Sequence, residues 1–158
     1  MAGYFLDTSA LAKLYHEEAG SQYVERLLTP PEHNVIVSRL SLVEMESVLA
    51  IKIRTGEIDA EGRELARRRL RADLAQGRLR LGPPIDERHY WKARGLLTRY
   101  GVERGLRTLD AIQLAVALGL HEARVVSVFV AADRRLCRVA GDCDIPTVDP
   151  ADPDVAIL

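Results

Sequence analysis

Cysteine is scarce in this chain: Cys137 and Cys143 are the only two in 158 residues, and neither sits in a CxxC. The four histidines, His16, His33, His89 and His121, are scattered, with no pair at zinc-like spacing. That excludes a disulfide framework and a zinc module, and leaves reduced thiols as the expectation. No apolar run approaches the ~18 residues that a membrane helix needs. Nor does a basic segment followed by an apolar one open the chain, so neither a span nor a signal peptide is expected, and the protein is read as cytoplasmic. Glycine-rich phosphate loops are missing as well: there is no GxGxxG after the first strand candidate and no GxxxxGK[ST]. The nucleotide-binding versions of an α/β sheet therefore lack their phosphate cradle. Repeats, low-complexity tracts and dividing linkers are absent too.

What is present is the composition of a globular chain, 47% apolar and 28% charged, of the size of one domain. The net charge of −1 hides an uneven distribution: residues 1–51 carry −4, residues 52–107 carry +7, and residues 108–158 carry −4. Two accounts fit the basic middle, and charge alone leaves both open. It is either a pair of solvated arginine-rich helices or a footprint for a phosphate backbone, with Arg67, Arg68, Arg69 and Arg71 as its densest part.

Along the chain, short apolar runs alternate with helical stretches. Tyr4–Asp7 reads as a strand followed by a helix to about His16, and Ser21–Leu28 as a second helix ended by Pro30 and Pro31. Asn34–Ser38 is a β-branched strand. The next helix, Ser41–Arg54, is apolar on most sides and is expected to be well buried. Glu57–Gln76 is a long charged helix stopped by Gly77. "RLRLGPP" gives a short strand and turn, and Asp86–Tyr100 and Thr108–Gly119 are helices. Arg124–Ala132 is rich in valine, as expected of a strand buried on both faces. A helix opens at Asp133, and Ile145–Pro150 supplies an edge strand before an uninformative tail to Leu158. Strands alternating with helices predict an α/β fold with a mainly parallel central sheet and helices on both faces.

Four acids stand at or near predicted helix starts and beside apolar sequence: Asp7 in "YFLD", Glu44 in "LVEM", Asp110 in "TLDAI" and Asp133 in "VAAD". Each has an ordinary structural explanation. Asp7 and Asp133 would serve as N-caps, Ser41 to Glu44 matches a capping box, and Asp110 would be a first-turn acid favoured by the helix dipole. Taken jointly they gain a second meaning, because helices that follow parallel strands begin at one sheet edge, where ligands bind. Carboxylates gathered there raise one another's pKa unless a cation compensates, and oxygen donors without His or Cys suit Mg²⁺ or Mn²⁺. Glu46 lies roughly 200° around its helix from Glu44, so only one of the two can join, and periodicity leaves that choice open.

"FLDTSALAKLYHEEAGS", "SLVEMESVLA", "LRTLDAIQLAVAL" and "FVAADRRLCRVAG" resemble, in order and spacing, the successive motifs of PIN-domain proteins, most nearly the VapC toxins of toxin–antitoxin pairs. The resemblance spans about residues 4–141 of a chain read as one domain, 1–158, with residues 145–158 as edge strand and tail. It implies a three-layer PIN-like fold and places the family's acids on Asp7, Glu44, Asp110 and Asp133, choosing Glu44 over Glu46. By that likeness Asp7 and Asp110 are primary ligands of Mg²⁺ or Mn²⁺, Glu44 and Asp133 complete the pocket directly or through water, and Thr8 and Ser9 hold Asp7 in place. The implied activity is endoribonucleolytic hydrolysis of RNA. The implied partners are a second copy of the chain and a small antitoxin, for which the helices over Asn34–Gln76 are the expected contact surface. Two positions depart from the family pattern: Ala131 where Thr is frequent, and Gln113 where His is frequent.

Three other readings compete. A haloacid-dehalogenase-type phosphatase needs D-x-D-x-T, and Ser9 stands where its second Asp belongs. A PIN-like nuclease acting on DNA of the structure-specific kind needs an added helical arch, for which 158 residues leave little room. A PIN-fold RNA-binding module without activity has no use for four intact acids.

Overall fold

The computed structural model describes residues 2–154; the last residues of the tail, 155–158, lie outside the described part. Five strands, β1 (Gly3–Leu6), β2 (Asn34–Val37), β3 (Arg80–Leu81), β4 (Val128–Val130) and β5 (Thr147–Val148), form one sheet in the order β3-β2-β1-β4-β5. All four pairings are parallel. Between them run α1 (Thr8–Leu11), a 3₁₀ turn (Ala12–Leu14), α2 (Ser21–Leu27), α3 (Arg39–Arg54) and α4 (Ala60–Ala75). The second half carries α5 (Glu87–Tyr100), α6 (Thr108–Glu122) and α7 (Arg134–Asp142).

The strands are apolar on both faces, and their alternation divides the interior in two. Phe5, Ile36 and Phe129 enter a core with the apolar residues of α5, α6 and α7. Leu6, Val35, Val37 and Val130 enter another with those of α1 to α4. Side-chain direction alternates along a strand, so one sheet supplies both cores of a three-layer fold. Right-handed crossovers explain the division of helices. From β1 to β3 the chain steps one way across the sheet and leaves its helices on one face. It then returns past β1 and steps the other way, leaving α5 to α7 on the opposite face. The reversal falls between β1 and β4, and the crevice outside their carboxyl ends is where such sheets bind ligands.

Four expectations change in detail. The first helix ends at Leu11 and tightens into the 3₁₀ turn instead of continuing to His16. α4 starts at Ala60 because Asp59 caps it, while Glu57 is taken by Lys52 and Thr55. β4 is shorter than Arg124–Ala132, since α6 runs on to Glu122 and Arg124 turns the chain at a φ of 59°. The largest change is α3, expected to be well buried. Only Ser41, Met45 and Leu49 are buried, whereas Val43 is 68% and Ile51 44% exposed. The helix packs along one side against α1 and α4, and among the described residues nothing covers its outward Val43 and Ile51. Among the described residues no helix is long and apolar enough to cross a membrane.

Candidate active site

Asp7 follows β1 directly, and its backbone N–H donates to the Val130 carbonyl at 2.9 Å, fastening the ends of β1 and β4 together. The carboxylate caps α1: Oδ2 accepts from Ser9 N at 3.0 Å and from Ser9 Oγ at 2.7 Å. Ser9 Oγ in turn accepts from Ala132 N at 2.9 Å, so one hydroxyl couples Asp7 to the chain leaving β4. Asp7 is only 5% exposed. Burial pushes its carboxyl up to about 6, with the nearby charges of Asp110 and Glu44 acting in the same direction and the two Ser9 hydrogen bonds opposing.

Asp110 lies in the first turn of α6 and Asp133 is the N-cap of α7. Asp133 divides its oxygens: Oδ1 accepts from Arg135 N and Leu136 N, and Oδ2 from Arg107 at 3.4 Å. Arg107 also donates through Nε to Asp110 Oδ2 at 3.1 Å, bridging the two carboxylates. Burial raises the Asp110 pKa while the Arg107 charge and hydrogen bond lower it and Asp133 adds a smaller rise.

Glu44 reaches the cluster from α3. Its Oε1 accepts from Thr8 Oγ1 at 3.0 Å and from Gln113 Nε2 at 2.6 Å. Glu46, two residues on, points away and pairs with Arg67. The capping box proposed for Ser41–Glu44 does not form, because Ser38 is the N-cap of α3 and accepts from Ser41 N. Thr8 thus serves Glu44, and among the described residues Ser9 alone bonds to the Asp7 carboxylate.

Sequence reasoning noted Gln113 only as a departure from the family pattern and missed its place at the centre of this arrangement. Gln113 is fully buried and donates to Thr8 Oγ1 and Ser41 Oγ as well as to Glu44, while Ser38 Oγ donates to its Oε1 at 2.6 Å. A single uncharged polar residue within "AIQLAVAL" was the available signal. Arg107 was missed as well, though it stands three residues before Asp110. The arginines of α4 are largely committed locally: Arg67 pairs with Glu46 and Glu64, Arg71 with Glu64, and Arg69 lies 5.7 Å over the Tyr15 ring. The four histidines stay outside the cluster, with His16 beside Glu57, His33 on the Leu27 carbonyl, His89 in the α5 capping box and His121 on the Val126 carbonyl.

Arg107 thus joins Asp110 to Asp133, and Glu44 bonds Thr8, the neighbour of Asp7, while the charges of Asp110 and Glu44 help to raise the Asp7 pKa. Among the described residues no three His, Cys, Asp or Glu side chains are placed so that together they could hold a metal ion. The donor chemistry nevertheless fits a hard divalent cation: the donors are carboxylates only, and Asp7 is buried beside two further negative charges.

This chain belongs to the PIN domain family, whose sequence profile matches residues 4–142. PIN domains are generally nucleases. Comparison with curated proteins finds no match. Among solved structures, the chain is similar to FitAcB from Neisseria gonorrhoeae, at 15% identity over 93% of this chain and 97% of that one, with a TM-score of 0.61. VapBC2 from Rickettsia felis, solved bound to a DNA fragment from its promoter, aligns at 14% identity over 92% and 96% of the two chains, with a TM-score of 0.58. PAE2754 from Pyrobaculum aerophilum aligns at 26% identity over 87% and 79%, with a TM-score of 0.53. At these identities the first two show the fold alone.

Proposed function

We propose that the whole chain acts as one cytoplasmic PIN domain, an endoribonuclease dependent on Mg²⁺ or Mn²⁺ and the toxin half of a toxin–antitoxin pair. The observation that carries the reading is that Asp7 and Asp133 cap the helices following β1 and β4, Arg107 joins Asp133 to Asp110, and Glu44 bonds Thr8 beside Asp7. Asp7 and Asp110 would hold the cation, with Glu44 and Asp133 completing its surroundings. A divalent ion bound there supplies charge neutralisation for a phosphate and a more acidic attacking water. The chain's own contribution is to hold the donors still. Ser9 fixes the Asp7 carboxylate against the strand ends, Gln113 and Thr8 fix Glu44, and the α7 N-terminus fixes Asp133.

A small antitoxin is the proposed partner, with the helices over Asn34–Gln76 as its contact surface, because the motifs that carry Asp7, Glu44, Asp110 and Asp133 resemble those of VapC toxins. A homodimer is proposed by the same likeness. Structured RNAs incubated with Mg²⁺ or Mn²⁺, with EDTA, and with Asp7→Asn test the activity. Cleavage that needs the cation and Asp7 is expected. Cleavage indifferent to both sinks the metal-nuclease reading, and cleavage of DNA alone replaces RNA with DNA as substrate.

A further inference from the structure

Arg107 occupies a position for which its local backbone gives no reason. It is the N-cap residue of α6 and makes no side-chain cap hydrogen bond. Ser, Thr, Asp and Asn are favoured there because they bond the free N–H groups of the first turn. A positive side chain beside the positive end of the helix dipole is also unfavourable. What offsets this is the pair of acids in front of it: Nε bonds Asp110 at 3.1 Å and Nη2 meets Asp133 at 3.4 Å. The backbone behind it is anchored by the buried Leu106, whereas the Arg107 side chain is 67% exposed, against 18% for Asp110 and 27% for Asp133. A long, exposed guanidinium on a fixed backbone can leave the carboxylates without disturbing the fold.

We propose that Arg107 is a swinging positioning residue, which shares the Asp110 and Asp133 oxygens with the divalent cation in competition and, when displaced by it, holds a phosphate of the RNA at the mouth of the site. The inference rests on the reading of the crevice as a cation-dependent nuclease site. Its chemistry is that of a guanidinium, whose planar fork fits a carboxylate or a phosphate equally well and which keeps its charge throughout. The ion and the guanidinium are both cations drawn to the Asp110 and Asp133 carboxylates, so each weakens the other's hold on them. Arrival of the ion therefore loosens an exposed guanidinium beside the acids, free to meet a phosphate that approaches the crevice. One residue then serves as counter-charge for the acids before binding and as a clamp for the substrate after it.

The test measures cation binding apart from turnover. Mn²⁺ titrations by calorimetry are run on the wild type, Arg107→Ala, Arg107→Lys and Asp7→Asn, followed by anisotropy of a fluorescein-labelled phosphorothioate oligouridylate, which resists cleavage and leaves Asp7 in place. Removing two exposed contacts to the acids is expected to tighten Mn²⁺ binding by about two- to tenfold in Arg107→Ala. RNA binding in Mn²⁺ is expected to weaken, and the logarithmic salt slope to fall by about 0.7, the value of one single-strand phosphate contact. KM rises more than kcat falls, and Arg107→Lys recovers the salt slope without the full affinity. Unchanged or weaker Mn²⁺ binding in Arg107→Ala overturns the competition, and an unchanged salt slope overturns the clamp. If the wild type binds no Mn²⁺, or binds it independently of Asp7, the nuclease reading itself falls and this inference with it.

Discussion

Replacing Asp7 by Asn is expected to stabilise the protein at neutral pH while abolishing the proposed activity. Asp7 is 5% exposed, and its carboxyl sits at about 6 against an ordinary 3.8, chiefly through burial. A rise of about two units corresponds to about 3 kcal/mol between the protonation states. The folded protein keeps a proton here that the unfolded chain releases, so over the window from about pH 4 to about pH 6 folding binds protons and stability falls as pH rises. Above that window the charged carboxylate is carried at full cost. Asn has no charge to desolvate, retains an oxygen for Ser9 N and Oγ, and caps a helix as well as Asp does. The variant should thus gain up to about 3 kcal/mol near neutral pH and almost nothing near pH 4. Urea unfolding in EDTA across that range measures it. Adding Mn²⁺ should narrow the gap by stabilising only the wild type, as any ligand that binds the folded state does. A variant less stable than wild type at neutral pH, or a difference that ignores pH, would mean that Asp7 is ionised at no cost and that its surroundings already compensate it.

Gln113→Leu strands Glu44, Thr8, Ser41 and Ser38 together, and is expected to cost about 3 kcal/mol in chemical denaturation, with Gln113→His, which keeps a ring donor, costing less. Thiol labelling of the native protein should modify Cys143 first and Cys137 only on unfolding, since Cys137 is fully buried and burial pushes its thiol up to about 12. Gly3→Ala should destabilise by about 2 kcal/mol or more, because a Cβ there would lie 2.0 Å from the Val125 carbonyl oxygen and force β1 away from the chain entering β4. Phe129→Ala, which removes a ring stacked 5.8 Å from Phe5 at the centre of the sheet, should cost about 3–5 kcal/mol by the same measurement.

How far the sequence carries depends on how local each feature is. The strand ending at Asp7, the parallel α/β order and the edge strand near Thr147 were legible because apolar runs and helix starts are written in neighbouring residues. Periodicity left the choice of Glu44 over Glu46 open, and only the likeness of the motif to PIN-domain proteins made it. The choice depends on Gln113 and Thr8, which lie 69 and 36 residues away in sequence and meet Glu44 only after α3 and α6 pack against the sheet. Ser38 as the true cap of α3 was hidden for a related reason: Ser41 stands at a plausible position for the same task, and only the backbone shows that the helix has already begun at Arg39. The outward apolar residues of α3 mark a further limit. Val43 and Ile51 lengthen an apolar pattern that reads as core, and a pattern says nothing about what faces it.

The sequence leaves two accounts of Asp7 and Asp133, a helix cap and a site residue; the geometry shows the caps and is compatible with both duties at once. A carboxylate has two oxygens. Asp133 gives Oδ1 to two N–H groups of α7 and Oδ2 to Arg107. Asp7 gives Oδ2 to Ser9 N and Oγ, so the cap uses only one of its two oxygens. Capping fixes the rotamer of each carboxylate, and a fixed rotamer is what a shared ligand requires of donors drawn from separate helices. In a parallel sheet the helix that follows a strand begins where the strand ends, so the position that best caps the helix is also the one that faces the crevice. An acid at such a start is therefore held in place by its structural duty, and whether it also does chemistry depends on its neighbours across the strand ends. Here those neighbours are Asp110 and Glu44, which carry the same charge as Asp7 and help to raise its pKa. Helix starts that needed caps alone would have no reason to bring like charges together.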